Sequence, residues 1–306
     1  MYAAATVQDR ARAAAKLIFP HGIDAYFSKG SFRIGYSDVV NQGGSNTLTG
    51  WESASVKANT ANLVQSKWVK TKLLLRSNAV RPFIPDTRKF SRRNLEEMIR
   101  SYGMIYVKPE RGTYGNGVIR AERSENKGYT YQYEETVRHF DTFEAFHKSL
   151  AQKTGKRSYL IQKGIHLLKH NRRRFDIRVM VQLSPKGVWE ATGIIGRLGH
   201  PRKIVTNYHS GGRPMAIETL LSTHLTRQQL AHLTGELNLL GTRMAAHMQK
   251  TYPRIRKIGV DVGLDRSLTP WVIEVNMNPD PYIFNQLKDK SMYRKVMKYR
   301  RYWMEK

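Results

Sequence analysis

What most constrains this chain is a repeated switch between two hydrophobic periods. Met104-Ile105-Tyr106-Val107, Tyr159 to Gln162, Ile177 to Leu183, Trp189 to Ile195 and Trp271 to Asn276 are short runs rich in β-branched and aromatic residues, and they predict strands. Phe143 to Leu150 and Arg227 to Lys250 instead keep helical spacing. So do Leu63 to Leu75 and Asn94 to Tyr102, with Pro82 and Pro85 marking an irregular connection between them. Strand runs mixed with helices predict an α+β fold in layers rather than a repeat array or a bundle.

The chain has 306 residues, 40% of them hydrophobic, enough for a substantial core in one large domain or two closely packed lobes. No run approaches the roughly 18 apolar residues of a membrane span, and the first residues carry charges where a leader needs its apolar core. The expectation is a soluble, cytoplasmic protein. Cysteine is absent, which excludes disulfides, thiolate zinc sites and cysteine nucleophiles, so a metal must be held by oxygen or imidazole. Lysine and arginine number 52 against 24 acidic residues, a net +28 that attracts any polyanion without choosing among them. The basic residues are spread along the chain, with enrichments at Arg172 to Arg174 and Lys288 to Lys306. A basic recognition helix or basic groups interleaved with stacking aromatics would mark a nucleic-acid binder, and that reading ranks third. Residues 1 to about 60, an Ala-rich stretch and then NQGGSNTLTG, read as a possible helix and a linker with no function assigned.

Three stretches carry chemistry. Arg111-Gly112-Thr113-Tyr114-Gly115-Asn116-Gly117 lies between two predicted strands, and its glycines let backbone N–H groups close around phosphate oxygens, with Lys108 adding charge. It lacks the G-K-[ST] of a Walker loop, and an ordinary hairpin turn is the alternative. In Trp271-Val-Ile-Glu274-Val-Asn276, residues two apart share a face, so Glu274 and Asn276 present oxygens together, and Asp261 on the preceding strand supplies a third. Such a set suits Mg²⁺, or Mn²⁺ in its place; a carboxylate buried against an arginine is the alternative. In Arg174-Phe-Asp176-Ile-Arg178 the charges share a face, with Asp176 placed to orient Arg178 toward a phosphate, or to form a structural ion pair. Arg197, and Asn207 with Gly211-Gly212, face the same cleft.

Taken in order, a lysine-bearing helix, V-K-P with a Gly-rich loop, I-Q-K-G-I, D-x-R-V-x-V, N-x-x-x-G-G, and D followed by E-x-N-x-x-P resemble the ATP-grasp superfamily. From about Lys67 onward the chain is most similar to its YheC/YheD-type, spore-coat-associated members. The resemblance implies an ATP-grasp fold of two α+β lobes with the nucleotide between them. It implies a first lobe over 63–165 and a second over 166–303, after a reduced segment over 1–62. It also implies that Lys72 or Lys70 and Lys108 bind ATP phosphates under a flexible cover of Gly112 to Gly117, and that Gln162, Lys163 and Ile165 form the hinge that meets adenine. Arg178, Arg197 and Asn207 would serve the γ-phosphate and an acyl-phosphate, and Asp261, Glu274 and Asn276 would hold magnesium. Gln162 stands where glutamate is frequent and Asp280 where glycine often follows the proline.

The function implied is ADP-forming ligation of a carboxylate to an amine, small-molecule or peptide, with acidic substrates suggested by the charge and spore-coat association by the resemblance. A nucleotide-binding spore-coat protein without ligase activity is the alternative. Neither the substrates nor the oligomeric state is written in the sequence.

Overall fold

Helix α1 (Lys67–Leu74) begins where Ser66 accepts a hydrogen bond from the Val69 amide. The computed structural model describes residues 65–125 and 128–305, together with two short paired strands, β1 (Ala25–Ser28) and β2 (Ser31–Ile34). The other expectations for 1–62 lie outside the described residues. Although α1 falls within the stretch 63–165 expected as the first lobe, its Leu73 and Leu74 pack in the core of the second, and the Leu73 carbonyl faces His247 Nε2 at 2.9 Å. Its first turn is tied to the first lobe, where the Lys67 amide donates to the Glu110 carbonyl at 3.0 Å. The helix therefore straddles both lobes.

The first lobe is an antiparallel sheet of β3 (Thr87–Lys89), β8 (Tyr159–Lys163), β4 (Met104–Pro109), β5 (Ile119–Ser124), β6 (Gly128–Tyr133) and β7 (Thr136–Phe140), in that spatial order. Helices α2 (Arg92–Tyr102) and α3 (Phe143–Thr154) cover it, capped at Ser91 and Thr142. Leu95, Ile99, Ile105, Phe146, Leu150 and Ile161 fill the space between. Truncating one of these fully buried side chains to alanine costs about 2–5 kcal/mol. The β6–β7 hairpin has no counterpart among the expected strands, since its Thr/Tyr/Gln alternation leaves little apolar signal. Tyr129 and Tyr131 secure it by stacking toward Phe146 and Phe140.

In the second lobe β12 (Arg213–Met215), β11 (Trp189–Leu198), β10 (Arg173–Leu183), β13 (Lys257–Leu264) and β14 (Pro270–Asn276) run antiparallel in that order, and the short β9 (Lys169–His170) pairs with the start of β10. The short α4 (Ile217–Leu221) and the long α5 (Arg227–Thr251) cover one face; α5 opens with a Thr226/Gln229 capping box. Gly241 lets α5 approach β10, since a Cβ there would meet Val181 Cγ2 at 2.8 Å. Phe175, Ile177, Val179 and Val181 of β10 face α5. The opposite face of β10 divides. At one end it carries Asp176 and Arg178, and at the other Met180 packs with Phe284 and Val296 under α6 (Ser291–Met304). Helix α6 was legible only as a basic enrichment, because Val296 is its one fully buried position. Among the described residues no helix is long and apolar enough to cross a membrane.

Candidate functional site

The register of β10 brings its charged face into use. Asp176 lies opposite Arg197 on β11, and Arg178 opposite Asp261 on β13. Arg197 chelates Asp176, its Nε donating at 2.8 Å, and its Nη2 also reaches Asp261 Oδ2 at 2.9 Å. Arg178 chelates Asp261 through Nε and Nη2, the latter at 3.0 Å. All four are buried. Two cations and two anions thus form a closed quartet, which is how a sheet buries charge without stranding it. Burial opposes ionisation of Asp261, but Arg178 and then Arg197 outweigh it and hold the carboxyl at about 2. Burial likewise opposes the Arg197 charge, and Asp176 followed by Asp261 more than restores it. The expected pairing of Asp176 with Arg178 is corrected here: strand register sets Arg197 across from Asp176, whereas Arg178 is two residues along the same strand.

On the other side of the cleft are lysines. Lys108, at the end of β4, is buried and donates to Gln162 Oε1 at 2.6 Å and to the Ile273 carbonyl at 3.1 Å. That carbonyl is available because β14 bulges. Asp261 pairs with Glu274 but Val262 with Val272, which leaves Ile273 without a partner on β13. The bulge also explains why Val272 and Val275, three apart, both reach the core while Glu274 faces the cleft. Burial lowers the Lys108 pKa to about 8, with Glu274 opposing the shift. Lys70 is buried, donates to the Val275 carbonyl at 2.6 Å, and is lowered chiefly by burial. Lys67 donates to the Gly112 carbonyl at 2.7 Å and stands 3.4 Å from Glu274 Oε1. Lys72 is exposed and outside the cleft. The helical period decides this: Lys67 and Lys70 are one turn apart on the inward face, and Lys72 points away. That spacing could have picked out Lys67, which the sequence reading overlooked.

The Gly-rich loop lies over the cleft and touches the second lobe. Ser210 donates to the Tyr114 carbonyl at 2.7 Å, and a Cβ on Gly115 would meet Asn207 Oδ1 and Val205 Cγ1 at 3.0 Å. Gly115 and Gly117 both hold φ +76, a conformation that side chains resist. Gly112, Thr113, Gly115 and Asn116 line the cavity, of about 820 Å³; Tyr114 is turned outward and about half exposed, and Gly117 packs on Pro109. Gln162, Lys163 and Ile165 line it from the first lobe, Arg197, Asn207, Asp261 and Glu274 from the second. Gln162 is oriented by Lys108 and by donation to Thr87 Oγ1 at 3.0 Å, and Lys163 extends over the Trp271 ring, 4.5 Å from its centroid. Arg178 lies behind Asp261 rather than on the cavity wall.

The oxygen donors meet a partial test as a magnesium site. Glu274 and Asn276 stand on the cleft side of β14. Asp261 is adjacent, but it is engaged by both arginines and by Asn276 Nδ2 at 3.3 Å. Among the described residues no group of three His, Cys, Asp or Glu is arranged to hold a metal. The set suits a hard cation only with phosphate oxygens and water completing the shell.

Two mixed lobes, with a glycine-rich strand connection closed over lysines and a carboxylate-bearing β-bulge, define an ATP-grasp architecture. Residues 58–302 match the YheC/D like ATP-grasp family, and the chain belongs to it. It is 24% identical over 253 residues to the endospore coat-associated protein YheD of Bacillus subtilis (strain 168), covering 79% of this chain and 55% of that one. It is 22% identical over 218 residues to the endospore coat-associated protein YheC of the same organism, covering 70% of this chain and 59% of that one. The chain thus spans little more than half the length of these curated relatives. Among solved structures it is similar to D-cycloserine synthetase, with TM-score 0.48 and 11% identity over 79% of this chain and 72% of that one.

Proposed function

We propose that this protein binds Mg·ATP in the interlobe cleft and phosphorylates a substrate carboxylate, which an amine then captures. The observation that carries this reading is Lys67. Its ammonium bridges the Gly112 carbonyl of the cover loop and the Glu274 carboxylate, marking where loop, cation and carboxylate converge. Lys67, Lys70 and Lys108 would hold the phosphates, the loop amides would close over them, and the backbone at Gln162 to Ile165 would meet adenine. Glu274 and Asn276 would hold magnesium, with Asp261 as a third donor shared with Arg178. The ion would neutralise charge between the phosphates.

In the first step a carboxylate oxygen bonds to the γ-phosphorus as the bond to the β,γ-bridging oxygen breaks, and ADP leaves with the electron pair. In the second an amine nitrogen attacks the acyl carbon, phosphate departs with the C–O electrons, and the amine loses a proton. Arg197 and Asn207, which line the wall away from the lysines, would orient the transferred group and the acyl oxygen. No side-chain nucleophile is required. A nucleotide-binding protein without turnover, associated with a spore coat as the relatives' names suggest, is the second reading, favoured by the occupation of Asp261 by guanidinium groups.

Glu274→Gln separates the two. Its contact with Lys67 is partly exposed, so the apo protein should unfold within about 1 kcal/mol of the wild type, while ADP production with amino acids and acidic peptides, followed by product mass, should be lost. Wild-type turnover in this variant would remove Glu274 from the mechanism. A wild type that binds Mg·ATP and yields no ADP with any acceptor would leave the binding-only reading.

A further inference from the structure

Two recesses open off the cleft, and every ionisable side chain on their walls is a lysine, arginine or histidine. The first, of about 450 Å³, is lined by Lys169, Arg172, Arg173, Arg174, His200 and Lys203, and it shares Ile204 to Thr206 with the nucleotide cavity. The second, of about 830 Å³, shares Lys169 and Arg174 with the first and Ile165 and Leu167 with the cleft, and adds Arg120, His166, His224 and Arg266. No Asp or Glu lines either. Among the described residues, ion pairs hold Arg120 to Glu122 and Arg202 to Glu135, while Lys169, Arg172, Arg174 and Lys203 enter none. The Nε of Arg120 is buried without a hydrogen-bond partner.

The backbone strengthens the case. β9 and β10 are joined by Asn171 and Arg172, at φ 48 and φ 62. A two-residue turn with both φ positive favours glycine at its second position. Here a bulky cation occupies it, and strain of that kind persists where the side chain serves a purpose the backbone alone does not. Arg174 is two residues before Asp176 on the same face of β10, so the row of charge that closes the quartet continues outward into the recess.

We infer that the Lys169–Arg174 hairpin and the His200–Lys203 loop form a docking groove for an acidic peptide, a chain of several carboxylates, one of which enters the cleft toward Arg197. The groove itself rests on the observations above; only the claim that the entering carboxylate is the phosphoryl acceptor rests on the ligase reading. A peptide is favoured over nucleic acid because no Phe, Tyr or Trp lines either recess to stack bases.

The test uses the full chain, dye-labelled hexaglutamate and anisotropy without nucleotide, beside calorimetry with Mg·ATP. Arg172→Gly relieves the turn, so the double variant Arg172→Gly/Lys203→Gln should melt no lower than the wild type, yet bind hexaglutamate about ten-fold or more weaker. Its Mg·ATP affinity should be unchanged. Equal hexaglutamate binding by variant and wild type would overturn the groove, as would an oligothymidylate of equal charge that binds tighter and loses affinity in the same variant. Hexaglutamate binding lost in the variant, in a protein that fails to bind Mg·ATP at all, would leave the groove standing and remove the ligase reading.

Discussion

The two walls of the cleft manage buried charge in opposite ways. On the second lobe, Asp176, Arg197, Asp261 and Arg178 neutralise one another in fixed strand register. On the first, Lys108 and Lys70 are held by neutral oxygens, those of Gln162, Ile273 and Val275, and their charge is left uncompensated at contact distance. A closed quartet is a scaffold, stable and already satisfied. Lysines held by carbonyls keep their shape while retaining an electrostatic demand, which an incoming phosphate can meet. One wall is rigid by pairing, and the other is poised by the lack of it.

The sharpest way to break this contrast is Asp261→Asn. It removes one charge from the quartet with almost no change of shape and strands the buried Arg178 guanidinium, while Arg197 keeps Asp176, so unfolding in urea should show a loss of about 3–5 kcal/mol. A loss no larger than that of an exposed substitution would mean the quartet is not the scaffold described. Lys108→Ala should do the converse. ATP affinity should fall by about 1.5–3 kcal/mol in calorimetry, with little change in apo stability, because the group removed was itself costly to bury. The wild-type pH dependence sharpens the point. Burial holds Lys108 at about 8 in the folded protein, below the 10.5 of a lysine free in water, which is the value it regains in an unfolded chain. Between those values the unfolded state binds more protons, so its contribution to stability improves as pH rises, while ATP affinity weakens as the ammonium is lost. A wild-type affinity profile parallel to that of Lys108→Ala would remove the lysine from the phosphate site. The smallest effect is expected for Lys72→Ala, within about 0.5 kcal/mol in both stability and ATP affinity, against clear losses of affinity for Lys67→Ala and Lys70→Ala.

Several parts of this contrast could be read in advance. Glycines after a strand that ends in Val-Lys-Pro, alternating charges at 174–178, and a carboxylate inside an otherwise apolar strand each carry a local signal, because period and residue type are properties of neighbours in the chain. The hairpin of β6 and β7 was not readable, since its stability comes from Tyr129 and Tyr131 against the Phe146 and Phe140 rings rather than from its own pattern. The choice of lysine on α1 was half readable: the three-residue spacing of Lys67 and Lys70 was present, but which face turns inward depends on what the helix packs against.

By itself the sequence determined the α+β class, the strand and helix centres, the ATP-grasp resemblance and the stretches that converge on one cleft. Those follow from hydrophobic period, turn chemistry and the cost of burying polar groups. Only the tertiary structure decided the partners. Asp176 takes Arg197 rather than Arg178 because antiparallel register brings residues 21 apart face to face. Glu274 reaches the cleft beside Lys67 because a bulge at Ile273 shifts the alternation by one. Lys169, Arg172, Arg174 and Lys203 become one basic groove because a strained turn and a loop from the neighbouring strand meet at the same edge. Contacts of this kind are set by how strands align across space, and no window of sequence contains both partners.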